Sequence, residues 1–212
     1  MTYHEFILTD RFEHAFRVAL ELHRHQIRKN THAPFMTHLM AVTAMVCENI
    51  GFITTDSGVC EDTAMIAVLH DTVEDQGGMA TYQRLVSEFG QGIADGVMML
   101  SDSTPEDHDA KPSKAERNRV YYEKIRQAPQ PIALISCCDK IHNLGTMAAD
   151  FLVAPSPQDF WEAFSASPED TVANYEKLGQ LYGEVLPRQR ILVIYERALE
   201  GVRSILKSSM GG

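Results

Sequence analysis

The sequence lacks any run of about 18 consecutive apolar residues, the length that predicts a transmembrane helix, so we expect no membrane segment. The first residues, MTYHEFILTDRFEH, are charged and contain no apolar stretch ending in small residues, so we expect no secretory signal. Positive charge is scarce, with 19 Lys and Arg against 29 Asp and Glu and a net charge of −10. Because nucleic-acid binding depends mainly on phosphate neutralisation, this balance argues against a nucleic acid as partner. A small anion could still bind, since a local basic patch or a metal ion can override the overall sign.

The chain also lacks the cysteine spacing of a thiolate metal site or a redox motif. Its four cysteines are Cys47, Cys60, Cys137 and Cys138, and none forms a CxxC pair. Cys137 and Cys138 lie inside the apolar run PIALISCCDKI, which predicts buried thiols. Since disulfides are rare in the cytosol, free buried thiols predict a cytoplasmic protein.

What the sequence does have is helical periodicity. With 212 residues, 44% of them apolar, the chain is long enough for one domain with a substantial core. Apolar residues recur every three or four positions along most of the chain, without an alternating strand pattern or an internal repeat. We therefore predict an all-α protein whose residues 1–212 form a single helical-bundle domain, with a helical tail over residues 151–212.

Two of the predicted helices carry details that the structure tests. The first helix is predicted to follow an N-cap at Asp10, with Glu13 as its partner in a capping box. The third helix is predicted to run without interruption over residues 62–75, DTAMIAVLHDTVED, and to be ended by Gly77 and Gly78.

Most of the nine histidines are predicted to be structural or solvated. Those predicted to lie on the surface of the first helix are His4, His14, His23 and His25. His108 and Asp109 form a His-Asp pair in a polar stretch with two prolines, which predicts a solvated loop. The pair His70 and Asp71 differs, because it follows the apolar run AMIAVL. Burying an imidazole and a carboxylate is costly unless something pairs them, and a metal ion is the strongest such partner.

The residues after this pair strengthen the metal interpretation. In LHDTVED, Glu74 lies four residues beyond His70 and Asp75 lies four beyond Asp71, so each pair is one helical turn apart. The carboxylates of Asp71, Glu74 and Asp75 lie within five residues and repel one another unless a cation neutralises them. The alternative is a frayed acidic helix end, which opposes the helix dipole. The spacing favours two metal ligands followed by two carboxylates within reach of a metal-bound water.

Two further segments could complete the ligand set. Asp139 follows the apolar run IALISCC, so a costly carboxylate again lies on a buried helix, and Asn143 is one turn further on. His142 could be a ligand, but a core histidine bonded to the backbone is the favoured interpretation. His38 directly precedes an apolar helix, where a single histidine is usually structural. It becomes a candidate ligand only together with His70, Asp71 and Asp139. Two imidazoles and two carboxylates suit Mn, Fe or Zn better than Ca.

At this point the sequence resembles the HD superfamily of metal-dependent phosphohydrolases, with the order H…HD…D on a helical fold. It is most similar to the hydrolase domain of RelA/SpoT-type alarmone enzymes. The matching stretches run in order over residues 10–150: HQIRKNTHAPFMTH, AVLHDTVED, FGQGIADGVMMLSD, AERNRVYYEKI and ISCCDKIHNLGTM. Together they are far more specific than a His-Asp pair. The length of the chain leaves no room for the synthetase and regulatory domains of the long enzymes, so a stand-alone small alarmone hydrolase is expected.

The resemblance implies the roles of individual residues. The resemblance implies one divalent ion, expected to be Mn²⁺, whose implied ligands are His38, His70, Asp71 and Asp139. The implied catalytic residues are Glu74 and Asp75, which would orient or deprotonate a water and manage the leaving-group proton. The implied contacts to a small-molecule nucleotide are Arg28, Lys29, Asn143 and Thr146. The implied reaction removes the 3′-pyrophosphate of (p)ppGpp and gives GDP or GTP and pyrophosphate.

Two alternatives remain open at this stage. The same centre could act on another nucleotide, such as ppApp, NADPH or a deoxynucleotide, because base choice depends on loop and tail contacts. A non-catalytic metal-binding regulator is a lesser alternative, and the presence of both Glu74 and Asp75 weighs against it. The sequence also leaves open whether the chain forms a homo-oligomer.

Overall fold

The protein is described by a computed structural model over residues 5–29, 31–102, 113–162, 164 and 166–210. These residues are mainly helical and contain no strand, only an isolated antiparallel bridge between Ile27 and Pro34, which confirms the predicted all-α class. None of the described helices combines the length and the apolar character needed to cross a membrane. The helices described are α1 (Asp10–Leu22), α2 (Met36–Ile50), α3 (Ser57–Leu69), α4 (Thr72–Asp75), α5 (Gly78–Phe89), α6 (Gln91–Leu100), α7 (Lys114–Gln127), α8 (Gln130–Val153), α9 (Pro157–Glu162), α10 (Pro168–Val185) and α11 (Ile191–Met210).

The chain divides into two compact units, residues 1–136 and residues 137–212. The boundary between them lies within α8. That residues 1–212 form a single domain stays a prediction.

Helix α3 is the centre of the first unit and packs against α1, α2 and α6. Every residue from Cys60 to His70 is buried except the half-buried Asp62. An apolar helix surrounded in this way has no solvent-exposed face on which water could hydrate a polar side chain. The polar groups at its two ends, Glu61 and His70, are therefore held by specific partners.

The start of α1 differs from the prediction. Its N-cap is Thr9 and not Asp10, because the Thr9 hydroxyl oxygen accepts a hydrogen bond from the backbone N–H of Arg11 at 3.2 Å. The predicted capping-box partner Glu13 instead pairs with Arg17 at 3.3 Å. The Thr9 backbone N–H and hydroxyl both donate to Glu61 Oε1 at 2.7 Å. A contact with a helix about 50 residues away thus fixes the cap, and the local sequence does not reveal it.

The unbroken helix predicted over residues 62–75 is also wrong, because α3 ends at Leu69 and α4 begins at Thr72. The Thr72 hydroxyl donates to the Leu69 carbonyl at 2.6 Å and satisfies a group at the end of α3. Asp71 takes the position before α4, with φ −97° and ψ −1°. The end predicted at Gly77 is confirmed, since Gly77 has φ +96°, a left-handed conformation that glycine adopts without strain. The other predicted glycine, Gly78, is instead the first residue of α5.

The second unit is built around α10 and α11, which pack against each other. The buried Tyr182 and Tyr195 rings meet edge to face at 5.2 Å, and the Tyr195 hydroxyl donates to the Tyr175 carbonyl at 2.7 Å. Gly179 allows this close approach, since a Cβ there would lie 2.9 Å from Tyr195 Cε1. The predicted helical tail is present, as the end of α8 and the helices α9, α10 and α11.

Candidate metal centre

Three of the four predicted metal ligands meet in the first unit. His38 Nε2 lies 3.4 Å from Asp71 Oδ2, and His70 Nε2 lies 3.2 Å from the same oxygen. The three ligand atoms of this group are all within 4.8 Å of one another. The side chains of His38 and His70 are 2% and 3% exposed, and that of Asp71 is 24% exposed. This group has the size and donor types of a divalent-metal site that is open on one side.

The break between α3 and α4 directs His70 and Asp71 to the same point. His70 is the C-cap of α3, and its Nδ1 donates to the Ala67 carbonyl at 2.8 Å. His38 lies in the first turn of α2, with its ring centre 5.2 Å from that of His70. A metal-binding histidine commonly fixes its other ring nitrogen on a backbone carbonyl in this way.

The chemistry of these donors fits a cation. Because Nδ1 of His70 carries a proton, Nε2 of the neutral ring presents a lone pair, and it faces the carboxylate oxygen of Asp71. Two acceptors at 3.2 Å repel unless a proton or a metal ion lies between them. Burial alone would raise the pKa of Asp71. When a proton rather than a metal ion lies between these groups, the charge of His70 and hydrogen bonds from His38 and His70 outweigh burial and hold that pKa well below its usual range. An ionised carboxylate is the form that binds a metal.

The two predicted catalytic carboxylates lie on α4. One accepts a hydrogen bond from a residue later in the chain, and the other accepts one from a residue earlier in the chain. Glu74 Oε2 accepts a hydrogen bond from the backbone N–H of Asp102, just after α6, at 2.9 Å. Asp75 Oδ2 accepts one from Gln26 Nε2, just after α1, at 2.7 Å. Burial and the nearby charge of Asp71 raise the pKa of Asp75. Two acidic side chains one residue apart therefore have separate hydrogen-bond partners.

His23 is the clearest correction among the histidines. It is predicted to lie on the surface but is 1% exposed, and its ring stacks on Phe35 at 5.0 Å with a 16° angle between planes. Its Nδ1 contacts Gln26 Oε1 at 2.6 Å. His14 and His25 are exposed as predicted. The contact between His23 and Gln26 was not predicted from the sequence. Gln26 belongs to the segment that carried the family resemblance, so that motif was the available signal for it.

The basic residues Arg28 and Lys29 lie in the turn that joins α1 to α2. Backbone hydrogen bonds from Arg28 N–H to the Ala33 carbonyl at 2.8 Å and from His32 N–H to the Arg28 carbonyl at 3.0 Å hold this turn. Arg28 is half-buried and Lys29 is exposed. Their contact with a nucleotide stays a prediction.

The remaining predicted site residues belong to the second unit, on α8. Asp139 is buried, and its carboxylate accepts hydrogen bonds at 2.6 Å from Lys140 Nζ and from Asn143 Nδ2. The Thr146 hydroxyl donates to the Asn143 carbonyl at 3.1 Å. His142 is half-buried. The roles of Asp139 as a ligand and of Asn143 and Thr146 as substrate contacts stay predictions.

Of the other predicted features, His4 and the pair His108 and Asp109 lie outside the described residues. The four cysteines are free; Cys60, Cys137 and Cys138 are buried, and Cys47 is half-buried.

A family model for the HD domain matches residues 15–166, the stretch that holds the His38, His70 and Asp71 group. The chain belongs to the HD domain family. This HD domain is similar over 139 residues to a probable GTP diphosphokinase of Arabidopsis thaliana, with 32% identity. It is 33% identical to a probable GTP pyrophosphokinase of Mycobacterium leprae and 31% identical to the bifunctional (p)ppGpp synthase/hydrolase SpoT of Escherichia coli. The resemblance to RelA/SpoT-type enzymes is thereby confirmed.

These matches involve only part of each relative. They cover 64%, 64% and 66% of this chain but 18%, 16% and 18% of the three relatives. The chain thus spans less than a fifth of the length of the curated relatives it matches.

Two solved structures share the fold of this HD domain. One, described as a metazoan ortholog of SpoT that hydrolyzes ppGpp, has a TM-score of 0.64 at 20% identity and covers 96% of this chain and 98% of its own. The other, a protein of Listeria monocytogenes, has a TM-score of 0.62 at 18% identity and covers 79% of this chain and 94% of its own.

Proposed function

We propose that this chain is a Mn²⁺-dependent hydrolase that removes the 3′-pyrophosphate of (p)ppGpp and gives GDP or GTP and pyrophosphate. The observation that carries the proposal is the meeting of His38, His70 and Asp71, with Glu74 and Asp75 on the next helical turn. Two relatives support the substrate, since one is named a (p)ppGpp synthase/hydrolase and the other is described as hydrolysing ppGpp.

The proposed ligand set is His38, His70 and Asp71 from the first unit, with Asp139 added from the family resemblance. A Mn²⁺ ion held by these residues would polarise a phosphoryl group and lower the pKa of a bound water to about 7. The two imidazoles supply neutral nitrogen ligands, and the low pKa of Asp71 supplies an anionic oxygen. This mixed set favours Mn²⁺ over an ion that prefers only oxygen ligands.

The chain's own acidic pair would handle the protons of the reaction. Glu74 and Asp75 would orient the attacking water, accept its proton and return a proton to the leaving oxygen of the ribose. Burial and the charge of Asp71 raise the pKa of Asp75, which makes its carboxylate a better proton acceptor than an ordinary aspartate. Arg28 and Lys29 would bind the nucleotide, since a guanidinium can stack on a base and an ammonium can bind phosphate.

The test is hydrolysis of a panel of nucleotides by the purified protein with Mn²⁺, followed by chromatography of the products. We expect GDP and pyrophosphate from ppGpp, in preference to products from ppApp, NADPH or a deoxynucleoside triphosphate. Release of orthophosphate would contradict 3′-pyrophosphate removal. Preference for another nucleotide would retain the metal-dependent hydrolase and reject the guanine substrate.

A variant pair assigns the chemistry to α4. Glu74→Gln is expected to keep Mn²⁺ binding, measured by calorimetry, and to lose most of the turnover. Glu48→Gln, an exposed residue of α2, is the matched control and should retain it. If the protein binds Mn²⁺ but yields no product from any nucleotide, the chain is a metal-binding protein without this activity.

We also propose that this reaction takes place in the cytoplasm. The four cysteines are free, which suits a reducing compartment.

A further inference from the structure

The amide of Gln26 uses both of its ends in hydrogen bonds near the candidate metal centre. Its Nε2 donates to Asp75 Oδ2 at 2.7 Å. Its Oε1 accepts from Gln76 Nε2 at 2.6 Å and lies 2.6 Å from Nδ1 of His23. A side chain outside the predicted catalytic and ligand sets therefore connects His23 and Gln76 to the predicted catalytic carboxylate of Asp75.

The two groups on Oε1 determine which end of the amide faces Asp75. Gln76 presents an N–H, so a reversed amide would place two donors together there and would turn an oxygen toward the Asp75 carboxylate. In the orientation present, Nδ1 of His23 carries the proton and donates to Oε1. Burial lowers the pKa of His23, which agrees with a neutral ring that carries a single N–H.

The backbone around Gln26 is fixed as well. The Gln26 carbonyl accepts a hydrogen bond from Phe35 N–H at 2.9 Å, and Gln26 N–H donates to the His23 carbonyl at 3.0 Å. Phe35 stacks on His23, and its ring centre lies 5.5 Å from that of His38. The packing that orders Gln26 thus also contacts a metal ligand.

We propose that Gln26 is a positioning residue for Asp75, with its amide oriented by His23 and Gln76. This inference rests on the proposed function, because Asp75 is a catalytic residue only if that function holds. Asp75 lies at the end of a four-residue helix, so no further helical turn restricts its side chain. The Gln26 amide holds Oδ2, and Oδ1 has no hydrogen-bond partner among the described residues. Oδ1 would be the oxygen that exchanges the proton of the reaction.

The first experiment separates positioning from binding. Gln26→Met keeps the length of the side chain and removes its hydrogen bonds; we expect kcat to fall about 10- to 100-fold, as for other supporting residues of metal sites. KM and Mn²⁺ affinity should stay within about twofold if the residue acts only through Asp75. Gln83→Met, on the exposed side of α5, is the matched control and should match wild type. A loss confined to KM or to Mn²⁺ affinity would overturn the inference.

The second experiment uses conservative rescue at His23. Asparagine can place an amide N–H where Nδ1 lies, whereas leucine cannot donate. We expect His23→Leu to lose about tenfold in kcat and His23→Asn to recover most of it. Equal loss in both variants at equal folded fraction would show that the ring acts through packing alone, and would reject its orienting role.

A measurement without turnover distinguishes failure of this inference from failure of the proposed function. The side-chain amide signal of Gln26 in the NMR spectrum, identified by its loss in Gln26→Met, should shift in Asp75→Asn and in His23→Leu but not in Gln83→Met. If the wild-type protein hydrolyses no nucleotide and these shifts occur, the contact stands and the function fails. If hydrolysis occurs and the amide signal does not respond to Asp75→Asn, the positioning role fails.

Discussion

Glu61 and Asp71 lie near the two ends of α3, and different kinds of groups surround their carboxylates. Glu61 is surrounded by donors: the Thr9 N–H and hydroxyl at 2.7 Å, and the Arg11 guanidinium at 3.3 Å. Burial would raise the pKa of Glu61, but these groups outweigh it and lower that pKa. Asp71 instead faces the Nε2 atoms of two imidazoles. A buried acid with its own donors stabilises the fold, whereas an acid that faces two imidazole nitrogens needs a proton or a metal ion between the groups.

The largest effect is expected from neutralising Asp71, which tests whether this acid, unlike Glu61, serves the proposed reaction. Asp71→Asn removes the proposed anionic ligand and should lower turnover by more than about 100-fold, beyond the loss typical of supporting residues. Nucleotide hydrolysis with saturating Mn²⁺ measures the effect. Asp62→Asn, a half-buried residue of α3, serves as the control and should retain activity. Comparable turnover by Asp71→Asn and wild type would contradict the assignment of Asp71 as a ligand.

The second prediction concerns stability in the presence of the metal. Mn²⁺ at about 100 times its Kd should raise the free energy of unfolding by about 2.7 kcal/mol, because it binds only the folded protein. Urea unfolding with Mn²⁺ and with EDTA measures the difference. The gain should vanish in Asp71→Asn and persist in Glu61→Gln. A gain that survives in Asp71→Asn would place the ion elsewhere.

The third prediction concerns Glu61, the acid that we expect to stabilise the fold without taking part in the reaction. Glu61→Gln should lower the free energy of unfolding by about 2 kcal/mol, since the buried hydrogen bonds from Thr9 and Arg11 lose their charged acceptor. Asp62→Asn should cost less than about 1 kcal/mol, because its pair with Arg11 at 2.7 Å is largely solvated. Chemical unfolding in EDTA compares the two. Turnover per folded molecule should be unchanged in Glu61→Gln, and a large fall in it would give Glu61 a part in the site.

The smallest effect concerns His23, a buried group that the fold keeps neutral. Its pKa is lowered from 6.5 by burial, so below about pH 6.5 the unfolded chain takes up a proton that the folded chain does not. Stability should therefore be fully present above that pH and decline as the pH falls, by at most about 1.4 kcal/mol per pH unit. His23→Asn should reduce this slope between pH 7 and pH 5 in EDTA. Identical slopes would show that His23 protonates equally in both states.

The sequence predicted the parts of the molecule that depend on local pattern. Helical periodicity indicated the class and most helices, and His70 with Asp71 stood out because an acid after an apolar run is costly. The contacts that it did not predict are tertiary. Thr9 rather than Asp10 caps α1 because Glu61 binds it, and His23 is buried because Phe35 covers it. No local spacing distinguishes such a histidine from the exposed His25 two residues later.

The break between α3 and α4 has a consequence for how this site can evolve. In one continuous helix, inserting or deleting a residue would rotate every later side chain by about 100°. Here Glu74 and Asp75 sit on a separate short turn whose side chains are held by Asp102 and Gln26. A change in α3 that rotates His70 need not move Glu74 and Asp75, because the partners of the acidic pair lie outside α3. The metal group and the acidic pair can therefore be altered separately.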